Sequence, residues 1–146
     1  IAVGASQTDQ AASDLADNAD KLSTAVGSFE IGEEKFNVGR IKSAHLAWRS
    51  KLEGVLRGAS TLKQSEVASH HECEFGKWYD SPKAQQFSTL PIFNEIGNYH
   101  EQVHAYARTI VELYNNNRAD EAEKELQKFE EVRVKLFDAL EELYMN

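Results

Sequence analysis

The 146-residue chain is poor in cysteine, proline and glycine, with one, two and eight of each. A single cysteine cannot form an internal disulfide, so nothing in the sequence points to secretion. Scarce proline and glycine suit long, uninterrupted helices. No apolar run approaches the roughly 20 residues that span a bilayer, and the first residues lack the pattern of a secretory signal peptide. These absences favour a cytoplasmic, helical domain without a membrane span.

Positive charge is also in short supply. The chain carries 16 lysine and arginine residues against 24 aspartate and glutamate residues, which gives a formal net charge of −8. Nucleic-acid surfaces need clustered basic side chains, and anionic membranes attract basic segments. The composition therefore argues against either as a partner.

Apolar residues recur at alternating spacings of three and four, which is the helical period. Residues 5–29 form a stripe of mainly small side chains, which predicts a coiled-coil-like helix within residues 1–32. Stronger stripes follow, and a short helical segment is expected between the first two of them. The predicted fold is all-α, an antiparallel four-helix bundle over residues 36–146 after the N-terminal helix. The stronger stripes span residues 41–59, 93–114 and 122–143, and the short segment spans residues 73–79.

Three histidines and the cysteine stand out against this pattern. His45 lies on the apolar face of its stripe, and His100 and His104 lie one helical turn apart on another. Buried imidazoles cost several kcal/mol unless their nitrogens find partners. A Zn²⁺ ion would satisfy them together and would stabilise the Cys73 thiolate. Three histidines and one cysteine match a closed tetrahedral zinc site, so we predict a zinc site inside the bundle.

Each residue also has a simpler interpretation. Histidine on an apolar face is more often a satisfied core group than a ligand, and a lone buried cysteine often acts as a small hydrophobe. His70 and His71 lie in a polar stretch and suit a solvated turn, although either could replace a proposed ligand. A di-iron bundle needs Glu-x-x-His spacing on two helices together with further inward carboxylates. The chain has this spacing once, from Glu101 to His104, which disfavours a di-iron site. Four protein ligands leave no open position for a catalytic water, so we expect no enzyme activity.

The motif residues resemble the chemoreceptor zinc-binding domain family. The resemblance comprises His45 with Trp48, the run Cys-Glu-Phe-Gly-Lys-Trp-Tyr that starts at Cys73, and the pair His100 and His104. The separations of 28, 27 and 4 residues between the four candidate ligands agree with it, and it covers roughly residues 36–144. The resemblance implies that these four residues bind zinc and that the domain is a four-helix bundle that forms homodimers.

The N-terminal stretch is similar to the end of a methyl-accepting chemoreceptor signalling helix, at residues 11–16 and 22–29. The chain begins without methionine and is expected to be a fragment, and its end at Asn146 favours the C-terminus of a bacterial chemoreceptor. A diguanylate cyclase is the alternative parent. These resemblances imply sensing of zinc, or of oxidants such as hypochlorous acid through a zinc-bound cysteine. The signal would pass to the receptor's signalling domain, and indirectly to the chemotaxis kinase and coupling protein. A purely structural zinc domain that supports dimerisation is the other interpretation.

Overall fold

The structure is a computed structural model that describes residues 15–19 and 37–145. Regular structure in these two ranges is entirely helical, which confirms the all-α prediction. Residues 15–19 are helical and exposed, and the rest of the coiled-coil helix predicted within residues 1–32 lies outside the described residues. Residues 37–145 form helices α1 (Val38–Leu56), α2 (Glu74–Tyr79), α3 (Pro82–Gln85), α4 (Pro91–Asn115) and α5 (Ala119–Met145), with a 3₁₀ helix at Gln64–Glu66.

Helix α1 has a defined signal at each end. The Asn37 side chain caps its N-terminus by accepting a hydrogen bond from the Arg40 backbone N–H at 2.8 Å. Gly58 lies just beyond its C-terminus with a φ of +69°, a left-handed conformation that glycine adopts without a steric penalty. The polar residues that follow are part of the long connection to α4, as the sequence pattern predicts.

Helices α4 and α5 form a hairpin with a very short turn. Asn117 adopts a φ of 58°, and the Arg118 backbone N–H reaches back to the Leu113 carbonyl at 2.9 Å. This is the hydrogen-bonding pattern of a Schellman C-cap, with asparagine in the left-handed position. The turn reverses the chain, so α5 packs antiparallel along α4.

Helix α1 runs antiparallel to α5 and parallel to α4. Lys42, near the start of α1, pairs with Glu141 near the end of α5, and Arg49 pairs with Glu130 at 3.3 Å. Parallel helices need a connection that returns along their length, which explains the long stretch between α1 and α4. The structure agrees with a helical bundle, while the antiparallel arrangement of four helices stays a prediction.

The core lies between the three long helices, and the predicted apolar stripes supply it. Among the residues that the structure describes, one core position carries a permanent charge: Arg133 of α5 is only 8% exposed. Its guanidinium pairs with Glu130 at 2.8 Å and lies over the Phe137 ring. Within the described residues, no helix has the length and apolar character required to cross a membrane. The largest fully buried side chains include Phe93, Phe129, Leu52, Ile96, Ile110, Leu136 and Leu140.

Candidate metal centre

Three of the four predicted ligands meet in the core between two parallel helices. His45 comes from α1, and His100 and His104 come from successive turns of α4. Their exposed fractions are 4%, 2% and 5%. Each imidazole offers one ligand atom to a cluster in which all ligand atoms lie within 4.8 Å of one another. The structure therefore brings together three nitrogens that could hold a metal ion.

Backbone carbonyls orient two of these rings. His45 Nδ1 lies 2.7 Å from the Ile41 carbonyl oxygen, and His104 Nδ1 lies 2.8 Å from the Ala68 carbonyl oxygen. Because a carbonyl only accepts, each Nδ1 must carry the hydrogen and donate it. In the neutral ring, Nε2 then has a free lone pair. This is the tautomer that a metal-binding histidine needs, with the usual second partner on its other nitrogen.

The His45 side chain contains the clearest sign of a missing partner. Its Nε2 atom is buried and has no hydrogen-bond partner among the described residues. Native proteins rarely leave a buried polar atom unsatisfied, because doing so costs about 1–3 kcal/mol. A cation bound between the three rings would remove this deficit. The donor set therefore fits Zn²⁺, for which imidazole nitrogen and thiolate sulfur are preferred ligands.

Cys73 reaches the cluster from the connection between α1 and α4. Its Sγ atom lies 3.2 Å from His100 Nε2, which in turn lies 3.1 Å from His104 Nε2. Cys73 also caps the N-terminus of α2, where its sulfur accepts a hydrogen bond from the Gly76 N–H at 3.2 Å. The sulfur thus stands beside His100, although it is outside the set of atoms that all lie within 4.8 Å of one another.

Gly76 allows α2 to dock closely on the segment that precedes it. A Cβ atom at this position would overlap the carbonyl oxygen of His70. That same oxygen lies 3.6 Å from Cys73 Sγ, and the nearby Ala68 carbonyl orients His104. The glycine of the sequence motif is therefore required by close packing, and that packing sets the position of the cysteine.

Burial keeps the three imidazoles neutral. It lowers the pKa of His45, and the hydrogen bond to Ile41 opposes the change. Burial and the neighbouring imidazoles lower the pKa of His100 to about 2. Burial lowers the pKa of His104 to about 4 against the opposing effect of the Ala68 hydrogen bond. These shifts favour the neutral form that binds metal.

The pKa of the Cys73 thiol responds in the opposite direction. Burial raises it, while hydrogen bonds from the Gly76 and Phe75 backbone N–H groups lower it. In the metal-free protein, burial is the larger effect. A bound cation would favour the thiolate, so the cysteine and the imidazoles depend on the same ion.

The other two histidines lie outside the cluster. His71 is exposed and its Nδ1 contacts Asp80 at 2.7 Å, as expected for a solvated turn. The half-buried His70 ring packs on His71, and its centroid is 6.1 Å from that of His100. The backbone carbonyl of His70 accepts a hydrogen bond from Cys73 Sγ at 3.6 Å.

Sequence reasoning missed the residues that act on the candidate ligands through their backbones or their charge. Ile41 and Ala68 act through carbonyl oxygens, which every residue possesses, so their side chains gave no signal. Arg133 faces His45 closely enough that its charge helps to lower the pKa of that histidine. The polar interruption of the α5 stripe was its only signal in the sequence.

Comparisons with known proteins support the zinc-binding interpretation. Residues 45–111 match the family model of the chemoreceptor zinc-binding domain. The match runs from the first candidate ligand to beyond the last, so it includes all four. It confirms the resemblance seen in the sequence and supports Zn²⁺ as the cofactor. Comparison of the chain with curated proteins and with solved structures finds no match.

We expect Gly76→Ala to destabilise the domain by about 1–3 kcal/mol, as overpacked sites commonly do. The added methyl group would force α2 away from the His70 carbonyl and displace Cys73. Urea unfolding monitored by circular dichroism measures the loss. The exposed neighbour in the same helix, Lys77→Ala, is the matched control. An unfolding midpoint for Gly76→Ala equal to that of the control would contradict the packing argument.

We expect the metal-free domain to become less stable on acidification. The folded-state pKa values of His100 and His104, about 2 and about 4, lie below the ordinary value of 6.5. The unfolded chain therefore binds more protons, so stability is complete above pH 6.5 and falls as the pH drops towards 4. Urea midpoints between about pH 8 and about pH 5 test this.

His104→Asn is the informative comparison for the pH series, because it removes one of the shifted imidazoles. The variant should show a shallower dependence of the midpoint on pH than the parent. A parent midpoint that is constant over the whole series would contradict the burial of neutral imidazoles.

Proposed function

We propose that this chain is the zinc-binding sensory domain of a cytoplasmic chemoreceptor, with His45, Cys73, His100 and His104 as the ligands. The matched family consists of zinc-binding domains of chemoreceptors, and three histidines of the match converge in one buried cluster. The observation that carries the proposal is the unpartnered Nε2 of His45 within that cluster. A buried nitrogen without a partner destabilises an apolar core unless a bound group satisfies it.

Each residue has a distinct part in this proposal. The three imidazoles donate nitrogen lone pairs, and the carbonyls of Ile41 and Ala68 fix the rings that they contact. Bound zinc would supply positive charge that keeps Cys73 as a thiolate. With four protein ligands there is no position for a reacting water, so the role is regulatory and not catalytic.

Cys73 is the residue whose reaction with an oxidant can produce a structural change. Its thiolate sulfur would be oxidised to sulfenic acid by hypochlorous acid, which gives up its oxygen and is reduced to chloride. The sulfur loses its negative charge in this step and becomes a poorer ligand. It also becomes a weaker acceptor for the Gly76 N–H that starts α2. The domain would then respond to oxidants, to zinc itself, or to both.

Helix α2 can transmit such a change because it is short and closely packed on the core. Tyr79 stacks on Phe93 of α4 with ring centroids 4.3 Å apart and donates a hydrogen bond to its carbonyl at 3.0 Å. A shift at Cys73 would therefore reach α4, and through it the α4–α5 hairpin. We propose that the domain is a homodimer that passes this movement to the receptor's signalling domain, and so indirectly to the chemotaxis kinase and coupling protein.

A purely structural zinc domain is the second candidate function. The near-complete burial of the three histidines favours it, because buried ligands exchange their metal slowly. Gradual removal of zinc distinguishes the two candidates. Circular dichroism should change little in a sensory domain that responds locally, whereas a structural domain should lose its helices as the metal leaves.

Metal analysis of single variants tests the ligand set. The parent should bind one zinc ion per chain, and alanine at each of the four ligand positions should lower zinc affinity by at least about tenfold. The exposed His71→Ala is the matched control and should retain full binding. If His45→Ala kept its zinc and His70→Ala lost it, the ligand set proposed here would be wrong.

Release of zinc by hypochlorous acid tests the trigger. The parent should release zinc in proportion to the oxidant, and Cys73→Ala should lose this dose response. Methionine also reacts with such oxidants, and the chain contains one, the exposed Met145. Met145→Leu is therefore the control and should respond as the parent does. Equal dose responses in the parent and Cys73→Ala would remove the cysteine from the mechanism.

A further inference from the structure

An apolar cavity opens beside the metal centre, between α1 and α2. It has a volume of about 200 Å³. Its walls are mainly apolar and aromatic, and Cys73 and His45 also line it. Arg40 and Glu74 lie at the edge of the cavity, where they form an exposed ion pair at 3.1 Å between the two helices. The walls include Ile41, Ala44, Trp48, Phe75 and Trp78.

Metal binding does not require this cavity. The proposed ligands supply three nitrogens and one sulfur, and the aromatic walls add no donor to them. Close packing normally fills such space in a small core. Because this cavity is left unfilled next to the one thiol of the chain, we relate its role to that thiol.

A second cavity, of about 220 Å³, is lined by His100 and shares no lining residue with the first. Polar and charged side chains line it, including His70, His71, Asp80 and Glu101. This cavity reaches the His100 ring, while Cys73 is not among the residues that line it. An ion that entered the polar cavity would meet an imidazole and not the sulfur.

We propose that the apolar cavity is the passage by which small uncharged molecules reach Cys73 and by which ions are kept from it. Transfer of a charge from water into apolar surroundings is costly, whereas a neutral molecule of similar size enters readily. The passage would admit undissociated hypochlorous acid and would select against hypochlorite. This inference rests on the proposed sensory function and specifies the chemical class of molecule that reaches its cysteine.

Thiol-labelling kinetics on the full chain test the passage. The probes are hydroxyethyl, aminoethyl and sulfonatoethyl methanethiosulfonate, which are similar in size and are neutral, cationic and anionic. Each transfers its thioalkyl group to the sulfur of a thiolate, forms a mixed disulfide and releases methanesulfinate. Because Cys73 is the one cysteine of the chain, mass spectrometry of the intact protein reports its modification alone. Rates are divided by those for glutathione, which removes differences in intrinsic reactivity.

The neutral reagent should be favoured over both charged reagents by at least about tenfold after this correction. Ala44→Leu narrows the cavity and should slow the neutral reagent several-fold. Ala47→Leu, an exposed position on the same helix that does not line the cavity, should leave its rate unchanged. The comparison of the three reagents on the parent needs no variant, so it stands even if a substitution disturbs folding.

Several outcomes would overturn the proposal. Equal corrected rates for the three reagents would mean that the sulfur is open to water. Slow reaction of one charged reagent alone would mean that the selectivity comes from charges at the cavity edge, such as those of Arg40 and Glu74, and not from the apolar walls. Slow reaction of all three reagents would mean that the passage is closed. In each case, zinc release that still depended on Cys73 would leave the proposed function intact and remove only the passage.

Discussion

The burial of three imidazoles in one small core is the constraint on which the rest of the structure depends. An imidazole has two nitrogens that both need partners, and an apolar core offers none. The fold supplies carbonyl oxygens for the Nδ1 atoms of His45 and His104. It leaves the Nε2 atom of His45 unsatisfied. A group bound in the space between the rings would remove this cost and stabilise the core, and a divalent cation meets that need.

The same constraint explains the local structure around Cys73. The sulfur lies beside His100 where α2 docks on the carbonyl of His70, and this close docking requires glycine at position 76. The segment before α2 also orients His104, because its Ala68 carbonyl accepts a hydrogen bond from the His104 ring. One stretch of irregular backbone thus positions a candidate ligand from its own sequence and a candidate ligand from α4. Movement of the cysteine would therefore also disturb a histidine that is far from it in sequence.

Much of this could be predicted from the sequence because helical periodicity is a strong signal. The apolar stripes predicted the positions of α1, α4 and α5. Gly58 and the asparagine run predicted the ends of α1 and α4, where the structure has residues in the left-handed backbone conformation. The same periodicity placed His45, His100 and His104 on buried faces. The parallel direction of α1 and α4 was not predictable, because the connection between them gives no periodic signal. The carbonyls of Ile41 and Ala68 were hidden for a different reason, since backbone atoms do not depend on residue type.

The parallel alignment of α1 and α4 has a consequence for the order of folding. His100 and His104 lie one helical turn apart, so local helix formation on the sub-microsecond to microsecond scale is enough to pair them. His45 is 55 residues from His100 in sequence, and the chain between them must fold back along the helices before the rings can meet. Contacts of such high sequence separation pay a loop-closure entropy and form slowly. During synthesis, nearly sixty residues must be added after His45 before His104 is present. A metal ion held by all three histidines could therefore bind only late in the maturation of the chain.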